Sequence, residues 1–129
     1  MTQDEKAFVL RDLCARLPYG IKVKFEYVIT SPAEIIGINK FFIECEDVSA
    51  DIEDVKPYLF PLSSMTEEQK KEYDSIIYHN VELHWERYYD VIDVDCCEEL
   101  YDFYNKNHLD YRGLIPMGLA IDATGLNIY

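Results

Sequence analysis

The chain has 129 residues, 49% of them hydrophobic, and a formal net charge of −13 from 25 acidic and 12 basic side chains. This length is typical of a single domain over residues 1–129, and the hydrophobic fraction is high enough to bury a core, which argues against disorder of the whole chain. The acidic balance opposes direct binding to nucleic acid, and no run of about 20 uncharged apolar residues predicts a membrane span.

The N-terminal segment predicts a capped helix from about Asp4 to Leu17. Its polar, acidic start lacks the basic and apolar regions of an export signal, so we expect a protein of the reducing cytoplasm. Thr2 and Glu5 have the spacing of a capping box, and Pro18 followed by Gly20 ends the helix. Four side chains recur at the helical period as one apolar stripe: Leu10, Leu13, Cys14 and Leu17.

Alternating polarity predicts a strand over residues 21–29. One of its faces carries only apolar side chains: Ile21, Val23, Phe25, Tyr27 and Ile29. Two shorter strands are predicted over residues 34–38 and 41–46, and the pair Asn39-Lys40 between them is short enough for a hairpin turn. Three consecutive antiparallel strands indicate a small β-meander or a partly open barrel.

The middle of the chain predicts an extended segment followed by a second helix. Residues 56–62 are apolar but contain Pro57 and Pro61, which favours a segment lying across the core or at a sheet edge. Thr66 and Gln69 then match a second capping box at the start of a helix. Three side chains supply the apolar face of this helix: Tyr73, Ile76 and Ile77.

Residues 80–94 fit either a strand or a helix, and we favour extended structure because β-branched and aromatic residues dominate. A third helix is predicted from near Asp95, with Glu98 as its capping partner, to about residues 107–108. Its apolar stripe consists of Leu100, Phe103 and Tyr104. The elements together predict an α+β domain with an N-terminal helix, a small antiparallel sheet and two further helices packed on it.

Three stretches stand out as specific sequence strings. They are residues 12–20 (DLCARLPYG), residues 56–69 (KPYLFPLSSMTEEQ) and residues 110–120 (DYRGLIPMGLA). Together they resemble a group of small uncharacterised proteins from phages and prophages of gut Bacteroides. The resemblance implies a phage or prophage product acting in the bacterial cytoplasm, and it implies no activity. This chain has Phe103-Tyr104 where the group has Trp-Leu, a change that is conservative for packing.

The cysteines do not form a metal-binding pattern. Cys14 and Cys45 fall at apolar positions, so we expect both to be small hydrophobic residues of the core. Cys96 and Cys97 are adjacent, and no second pair completes a zinc site. We therefore expect no disulfide framework and no zinc.

We expect no cofactor. Six acids and no base lie between residues 44 and 54, but no glycine occurs between Gly37 and Gly113, which excludes a calcium-binding EF-hand there. The histidines at 79 and 84 are five residues apart, which is not the spacing of a helical metal pair. A weaker alternative is a small metal-dependent or hydrolytic enzyme that uses histidines and carboxylates of residues 79–95, with His84, Asp90 and Asp93 as the candidate metal ligands.

The leading candidates for a binding patch are Tyr111 and Arg112, because tyrosine and arginine are enriched at binding hot spots. The alternative is that Arg112 pairs with a nearby carboxylate, such as Asp110 or one on the third helix, and ties down the tail. Tyr58 and Trp85 are further aromatic candidates for binding.

The chain has no signature of an activated nucleophile or of a phosphate-binding loop. We therefore favour a non-enzymatic phage or prophage module that binds a host or phage protein through an acidic and aromatic surface. If that partner normally binds nucleic acid, the charge of −13 could act by mimicry. The enzyme above and a self-associating structural protein stay open as alternatives.

Overall fold

The computed structural model describes residues 1–26, 32–39, 42–46, 48–87 and 94–129, without the side chains of residues 79–87 and 94–97. These residues form three helices: α1 (Gln3–Arg16), α2 (Glu67–Arg87) and α3 (Val94–Lys106). They also form six strands: β1 (Lys22–Phe25), β2 (Ala33–Ile38), β3 (Ile43–Cys45), β4 (Ser49–Ala50), β5 (Val55–Leu59) and β6 (Ile121–Asp122). The predicted α+β class is confirmed.

The sheet is open and has the order β4-β3-β2-β1-β5-β6. Strands β1 to β4 pair antiparallel with their neighbours in sequence, which confirms the predicted meander and extends it by one short strand. Residues 27–29 of the first predicted strand and residues 40–41 at the predicted hairpin turn lie outside the described part of the chain. Strand β5 pairs antiparallel with β1 on one side. On its other side β5 pairs in parallel with β6, which lies near the C-terminus. The end of the chain therefore returns to the strand that follows the meander.

Strand β5 is extended, as predicted, but it lies inside the sheet and not at its edge. Pro57 lies opposite Val23 of β1, although a proline cannot donate a ladder hydrogen bond. Its position is compatible with the sheet because β6 pairs only with Tyr58 and Leu59 of this strand. At Pro57 the other side of β5 therefore has no strand partner among the described residues.

Helix α1 begins with the predicted capping box. The Thr2 hydroxyl accepts a hydrogen bond from the Glu5 backbone at 3.1 Å, and the Glu5 carboxylate accepts one from the Thr2 backbone at 2.9 Å. The helix passes into a 3₁₀ turn that ends at Gly20, whose φ of 72° suits glycine. The residues buried on this helix are Val9, Asp12, Leu13 and Arg16.

The prediction that Cys14 lies in the core is wrong, because Cys14 is exposed, whereas Cys45 is buried as expected. The buried residues of α1 also recur at helical spacing, but their stripe is rotated from the predicted one toward Asp12 and Arg16. The prediction counted only apolar side chains and therefore misplaced the buried face of α1. Two charged residues, Asp12 and Arg16, form part of the observed buried face.

Helix α2 has the predicted capping box, in which Thr66 and Gln69 exchange hydrogen bonds of 2.9 and 3.2 Å. It continues to Arg87, so the predicted extended structure is wrong for residues 80–87. Residues 88–93 lie outside the described part of the chain. Among the described helices, none is apolar over a length sufficient to cross a membrane.

Helices α2 and α3 pack against each other beside the sheet. Phe103 of the predicted α3 stripe is 1% exposed and lies in a cluster with Ile76 of α2 and with Leu109 beyond α3. A larger core lies between α1 and the sheet and includes Leu114 of the C-terminal segment. The residues after α3 therefore contact both cores, which places residues 105–112 at the junction of α1, α3 and the sheet.

Candidate binding site

A buried carboxylate joins two arginines at the junction of α1 and the C-terminal segment. The Asp12 and Arg16 side chains are completely buried, and Arg16 Nε donates to Asp12 Oδ2 at 2.9 Å. Arg112 Nε donates to the other carboxylate oxygen at 3.2 Å. Arg16 also donates through Nη2 to the Leu109 carbonyl at 2.6 Å. We call Asp12, Arg16 and Arg112 the ion triad.

Arg112 ties down the C-terminal segment, but through a different carboxylate from those predicted. The predicted partners were Asp110 or an acid on α3, whereas the observed partner is Asp12 on α1. Asp110 has another task, because its carboxylate accepts hydrogen bonds from the Leu114 and Ile115 backbone at 2.8 and 2.9 Å. It therefore fixes the turn that follows Arg112.

Tyr111 lies against both arginines of the ion triad. The Arg16 and Arg112 guanidinium carbons are 5.3 and 4.9 Å from the centre of its ring, within the range of cation–π contacts. Its hydroxyl accepts a hydrogen bond from Arg112 Nη2 at 2.9 Å. The ring stacks on Tyr104 at 5.0 Å and lies 5.4 Å from Tyr101. These contacts hold Tyr111 on several sides.

The aromatic cluster around Tyr111 extends along α3. Tyr104 contacts Phe103 at 5.8 Å and Tyr73 of α2 at 6.4 Å. Burial, together with the neighbouring tyrosines, raises the pKa of Tyr104 to about 12. Tyr104 is therefore uncharged at neutral pH, and the charged groups that contact Tyr111 belong to the ion triad.

A cavity of about 540 Å³ opens beside the ion triad, within the range of about 300–1,000 Å³ usual for ligand sites. It is lined by Phe8, Ala15, Tyr101, Asn105, Tyr111 and Arg112. We call it the tyrosine–arginine pocket. Tyr101 is 48% exposed, and the Arg112 side chain is 19% exposed. The two leading sequence candidates, Tyr111 and Arg112, are thus brought together in the wall of one cavity.

Asn105 is the most deeply buried polar residue of this wall, with only 6% of it exposed. Its Oδ1 atom is buried and has no hydrogen-bond partner among the described residues. Sequence reasoning missed Asn105 because its burial depends on the packing of α3 against α1. It also missed Asp12 and Arg16, although their i, i+4 spacing beside Val9 and Leu13 was a usable signal.

Of the other candidate site residues, Tyr58 is described and does not line the tyrosine–arginine pocket. Tyr58 is 8% exposed and lies in β5, where its carbonyl accepts a hydrogen bond of 2.8 Å from the Tyr129 hydroxyl. His84 and Trp85 lie on α2, but their side chains are not described. The candidates at 90 and 93 fall outside the described residues. Within the described part, no three His, Cys, Asp or Glu residues are placed to hold a metal.

A second cavity, of about 300 Å³, lies near the β4 edge of the sheet and is acidic and aromatic. Its lining includes Asp51 and Asp54 together with Phe42, which is 48% exposed. Nearby, Glu53 forms an ion pair with Lys6 of α1. Acids of the run at residues 44–54 are therefore gathered around a partly apolar surface, on different elements from the tyrosine–arginine pocket.

His108 is buried behind the ion triad. It is 8% exposed, has a left-handed φ of 56°, and its ring stacks on the C-terminal Tyr129 with 3.7 Å between the ring centres. Burial, together with the nearby positive charges of Arg16 and Lys22, lowers the pKa of His108 to about 4. The imidazole is therefore neutral at pH 7 and serves as a packing surface for the end of the chain.

No protein-family profile, curated protein or solved structure shows significant similarity to this chain. The function is therefore inferred from the chemistry of these two cavities. Of the two, the tyrosine–arginine pocket is the larger, and it contains the sequence-predicted binding residues.

Proposed function

We propose that this chain is a non-enzymatic protein-binding module and that a side chain of the partner docks in the tyrosine–arginine pocket. The observation that carries the proposal is the wall of this cavity, in which exposed Tyr101 adjoins Tyr111 and Arg112. Tyrosine and arginine dominate binding hot spots because they combine a large contact area with directional hydrogen bonds. A partly enclosed cavity with such a wall suits an anchoring side chain.

The pocket is also ordered before any partner arrives. Arg112 is held by Asp12 and by the Tyr111 hydroxyl, and Tyr111 is stacked on Tyr104. Binding normally costs the ordering of each flexible side chain, about 0.5–1.5 kcal/mol for a long one. Because Arg112 and Tyr111 are already fixed by these contacts in the folded protein, their ordering subtracts little from the free energy of binding.

The charge distribution supports a partner with a basic surface. The chain has a net charge of −13, and the acidic cavity at the β4 edge offers Asp51 and Asp54 beside the exposed ring of Phe42. Such a surface attracts lysine and arginine side chains and repels phosphate backbones. The affinity for a basic partner should therefore fall as salt is added, since exposed charges are screened.

The setting that we propose is the cytoplasm of a gut Bacteroides cell carrying the phage or prophage. The support for it is the resemblance of residues 12–20, 56–69 and 110–120 to proteins of such phages. Two of these segments contribute directly to the ion triad and the pocket, through Asp12 and Arg16 in the first and through Tyr111 and Arg112 in the third. The partner is then a host or phage protein.

Affinity capture from Bacteroides lysate with three forms of the tagged chain tests this proposal. The forms are the wild type, Tyr101→Ala in the pocket, and Tyr78→Ala as a matched control. Tyr78 is also an exposed helical tyrosine, 71% exposed on α2, but it does not line the pocket. Each capture is run at low and high salt, and any retained protein is purified and tested again by direct titration.

We expect one protein to be retained by the wild type and by Tyr78→Ala, and to be lost with Tyr101→Ala. Its purified form should bind directly, and at least tenfold more weakly to Tyr101→Ala, as is usual for a hot-spot tyrosine. Retention that is equal for all three forms would exclude the pocket as the contact site. If no retained protein is lost with Tyr101→Ala, the proposed function is contradicted.

A further inference from the structure

The tyrosine–arginine pocket is basic, although the chain as a whole is strongly acidic. Among the described residues no acid lines it, and its one charged lining residue is Arg112. The ion triad behind this wall holds two guanidinium groups against one carboxylate, because Arg16 and Arg112 share Asp12. One positive charge is therefore left uncompensated beside the cavity.

Arg112 retains hydrogen-bond donors for a ligand. It uses Nε for Asp12 and Nη2 for the Tyr111 hydroxyl, and no described residue accepts a hydrogen bond from its Nη1. The side chain is 19% exposed, so the guanidinium is held from behind yet accessible. The Tyr111 hydroxyl accepts from Arg112 and so keeps its own proton available to donate. The wall thus presents a fixed group of donors beside aromatic rings.

These groups select a planar anion. The Asn105 Oδ1 atom is buried out of reach of the cavity, so the described lining offers a ligand no side-chain carbonyl or carboxylate acceptor. A cation would face the guanidinium of Arg112 without a counter-charge. A carboxylate matches the planar donors of an arginine and the single uncompensated charge, whereas a phosphate carries about −1.5 to −2 and would exceed it.

The rim of the pocket carries exposed charges of both signs. Arg11 is three residues after Phe8 and four before Ala15, so it flanks the α1 wall. Glu98 and Asp102 flank the α3 wall in the same way. All three are exposed, and no described residue forms an ion pair with any of them. Because exposed charges are screened by water, they adjust the affinity for an anion, and the guanidinium in the wall decides it.

We infer that the tyrosine–arginine pocket binds the carboxylate of a glutamate or aspartate side chain on the partner protein. The carboxylate accepts hydrogen bonds from Arg112 and from the Tyr111 hydroxyl, and the aliphatic stem packs against Tyr101 and Phe8. This inference rests on the proposed function, since it names the side chain that the partner inserts. An acidic anchor within a basic partner surface fixes the register of the complex, because it fits a basic pocket and is repelled by the acidic surface around it.

The experiment is an NMR titration of the full, isotope-labelled chain with two isosteric probes. They are N-acetyl-glutamate methylamide and N-acetyl-glutamine methylamide, at pH 7 and low salt. For ligands of this size we expect a Kd on the order of 1 mM for the glutamate compound, and at least fivefold weaker binding of the glutamine compound. The backbone signals that shift should be those of residues 101–112 and of residues 8–15. A third probe, N-acetyl-phosphoserine methylamide, should bind no more tightly than the glutamate compound.

Four variants make the test specific. Arg112→Gln removes the guanidinium and should weaken binding of the glutamate compound about tenfold or more. At exposed positions, where the fold is least sensitive, Arg11→Gln should weaken it about twofold and Glu98→Gln should strengthen it about twofold. Lys71→Gln is the matched control, since it changes the net charge as Arg11→Gln does, at an exposed base of α2 that does not line the pocket. It should bind like the wild type. Dispersed spectra confirm that each variant is folded before its titration is interpreted.

Each outcome bears on the inference separately from the proposed function. If the glutamine compound binds as tightly as the glutamate compound, or if folded Arg112→Gln binds the glutamate compound like the wild type, the carboxylate site is overturned. It is also overturned if the phosphoserine compound binds tenfold more tightly, because the pocket is then a phosphate site. Shifts with none of the probes would overturn it too, while a partner captured through Tyr101 would still support protein binding. Conversely, selective glutamate binding without a captured partner would support the site and contradict the proposed cellular role.

Discussion

The ion triad allows a quantitative test, in which Asp12 is replaced by asparagine. The substitution keeps the shape of the side chain but removes the charge that both arginines share. Each hydrogen bond between charged groups contributes about 1.5–3 kcal/mol, and removing one partner of a buried ion pair costs about 3–5 kcal/mol. Because Asp12 and Arg16 are fully buried, we expect the free energy of unfolding to fall by about 4 kcal/mol.

Urea denaturation followed by circular dichroism measures this loss. A domain of this kind has a free energy of unfolding of about 5–15 kcal/mol, so the variant should fold but unfold at a clearly lower urea concentration. The slope of the transition should stay the same, since the surface exposed on unfolding does not change. The control is Glu53→Gln, which breaks the exposed ion pair with Lys6 and should unfold within error of the wild type.

A second variant separates the loss of the pair from the cost of an unpaired charge. In Asp12→Asn combined with Arg16→Met, no buried guanidinium is left without its carboxylate, so the double variant should be more stable than Asp12→Asn alone. A loss below about 1 kcal/mol for Asp12→Asn would refute the reasoning. The reasoning would also be refuted if the loss in the free energy of unfolding of the double variant equalled the sum of the losses of Asp12→Asn and Arg16→Met measured separately.

Three further substitutions test single contacts. Burial lowers the pKa of His108 from 6.5 to about 4, so as the pH falls the unfolded chain takes up a proton at this histidine before the folded chain does. The free energy of unfolding should therefore fall by up to about 3 kcal/mol as the pH drops from 6.5 to 4. His108→Asn, which tolerates the φ of 56°, should lack this part of the pH dependence in urea denaturation; an unchanged slope would contradict the assignment. Asn105→Leu should raise the free energy of unfolding by about 1 kcal/mol, because an unpaired acceptor is removed, and a lower melting temperature would show that Oδ1 is satisfied in the folded protein. Tyr129→Phe should lower it by about 1–2 kcal/mol, because the hydroxyl donates to the Tyr58 carbonyl and accepts from the Lys22 N–H; thermal unfolding at the wild-type temperature would disprove this.

The features that could be predicted from the sequence are those set by neighbouring residues. The capping boxes at Thr2 and Thr66 join groups three residues apart, and the stripe that buries Phe103 repeats within two helical turns. The meander followed from alternation within each strand and from the shortness of its turns. Such signals do not depend on how the rest of the chain packs, so they survive folding unchanged.

The errors arose where a residue's type and its environment disagree. The predicted segment 80–94 is rich in aromatic and β-branched side chains, which favoured a strand, but Glu82, Leu83 and Glu86 within residues 80–87 are good helix formers. No glycine or proline lies between Glu67 and Arg87, so α2 had no local signal to end before Arg87. Strand preference depends more on context than helix preference does, and here the continuing helix decided the outcome.

The binding site was predictable in part for the same reason. Tyr111 and Arg112 could be selected by residue type, but the carboxylate that orders them is 100 residues away in the sequence. Asn105 carried no signal, because a buried amide and an exposed one look alike until the tertiary packing is known. Long-range contacts such as these are fixed only when α1, α3 and the C-terminal segment come together.

Arg112 combines the two roles that the sequence presented as alternatives. Its Nε is bound to the buried Asp12, so it is a structural residue, and its side chain lines the tyrosine–arginine pocket, so it is also placed for binding. A guanidinium fixed from behind loses little freedom when a ligand arrives, whereas a free surface arginine would have to be ordered. Stability and binding are therefore coupled at Asp12, where a substitution should reduce both.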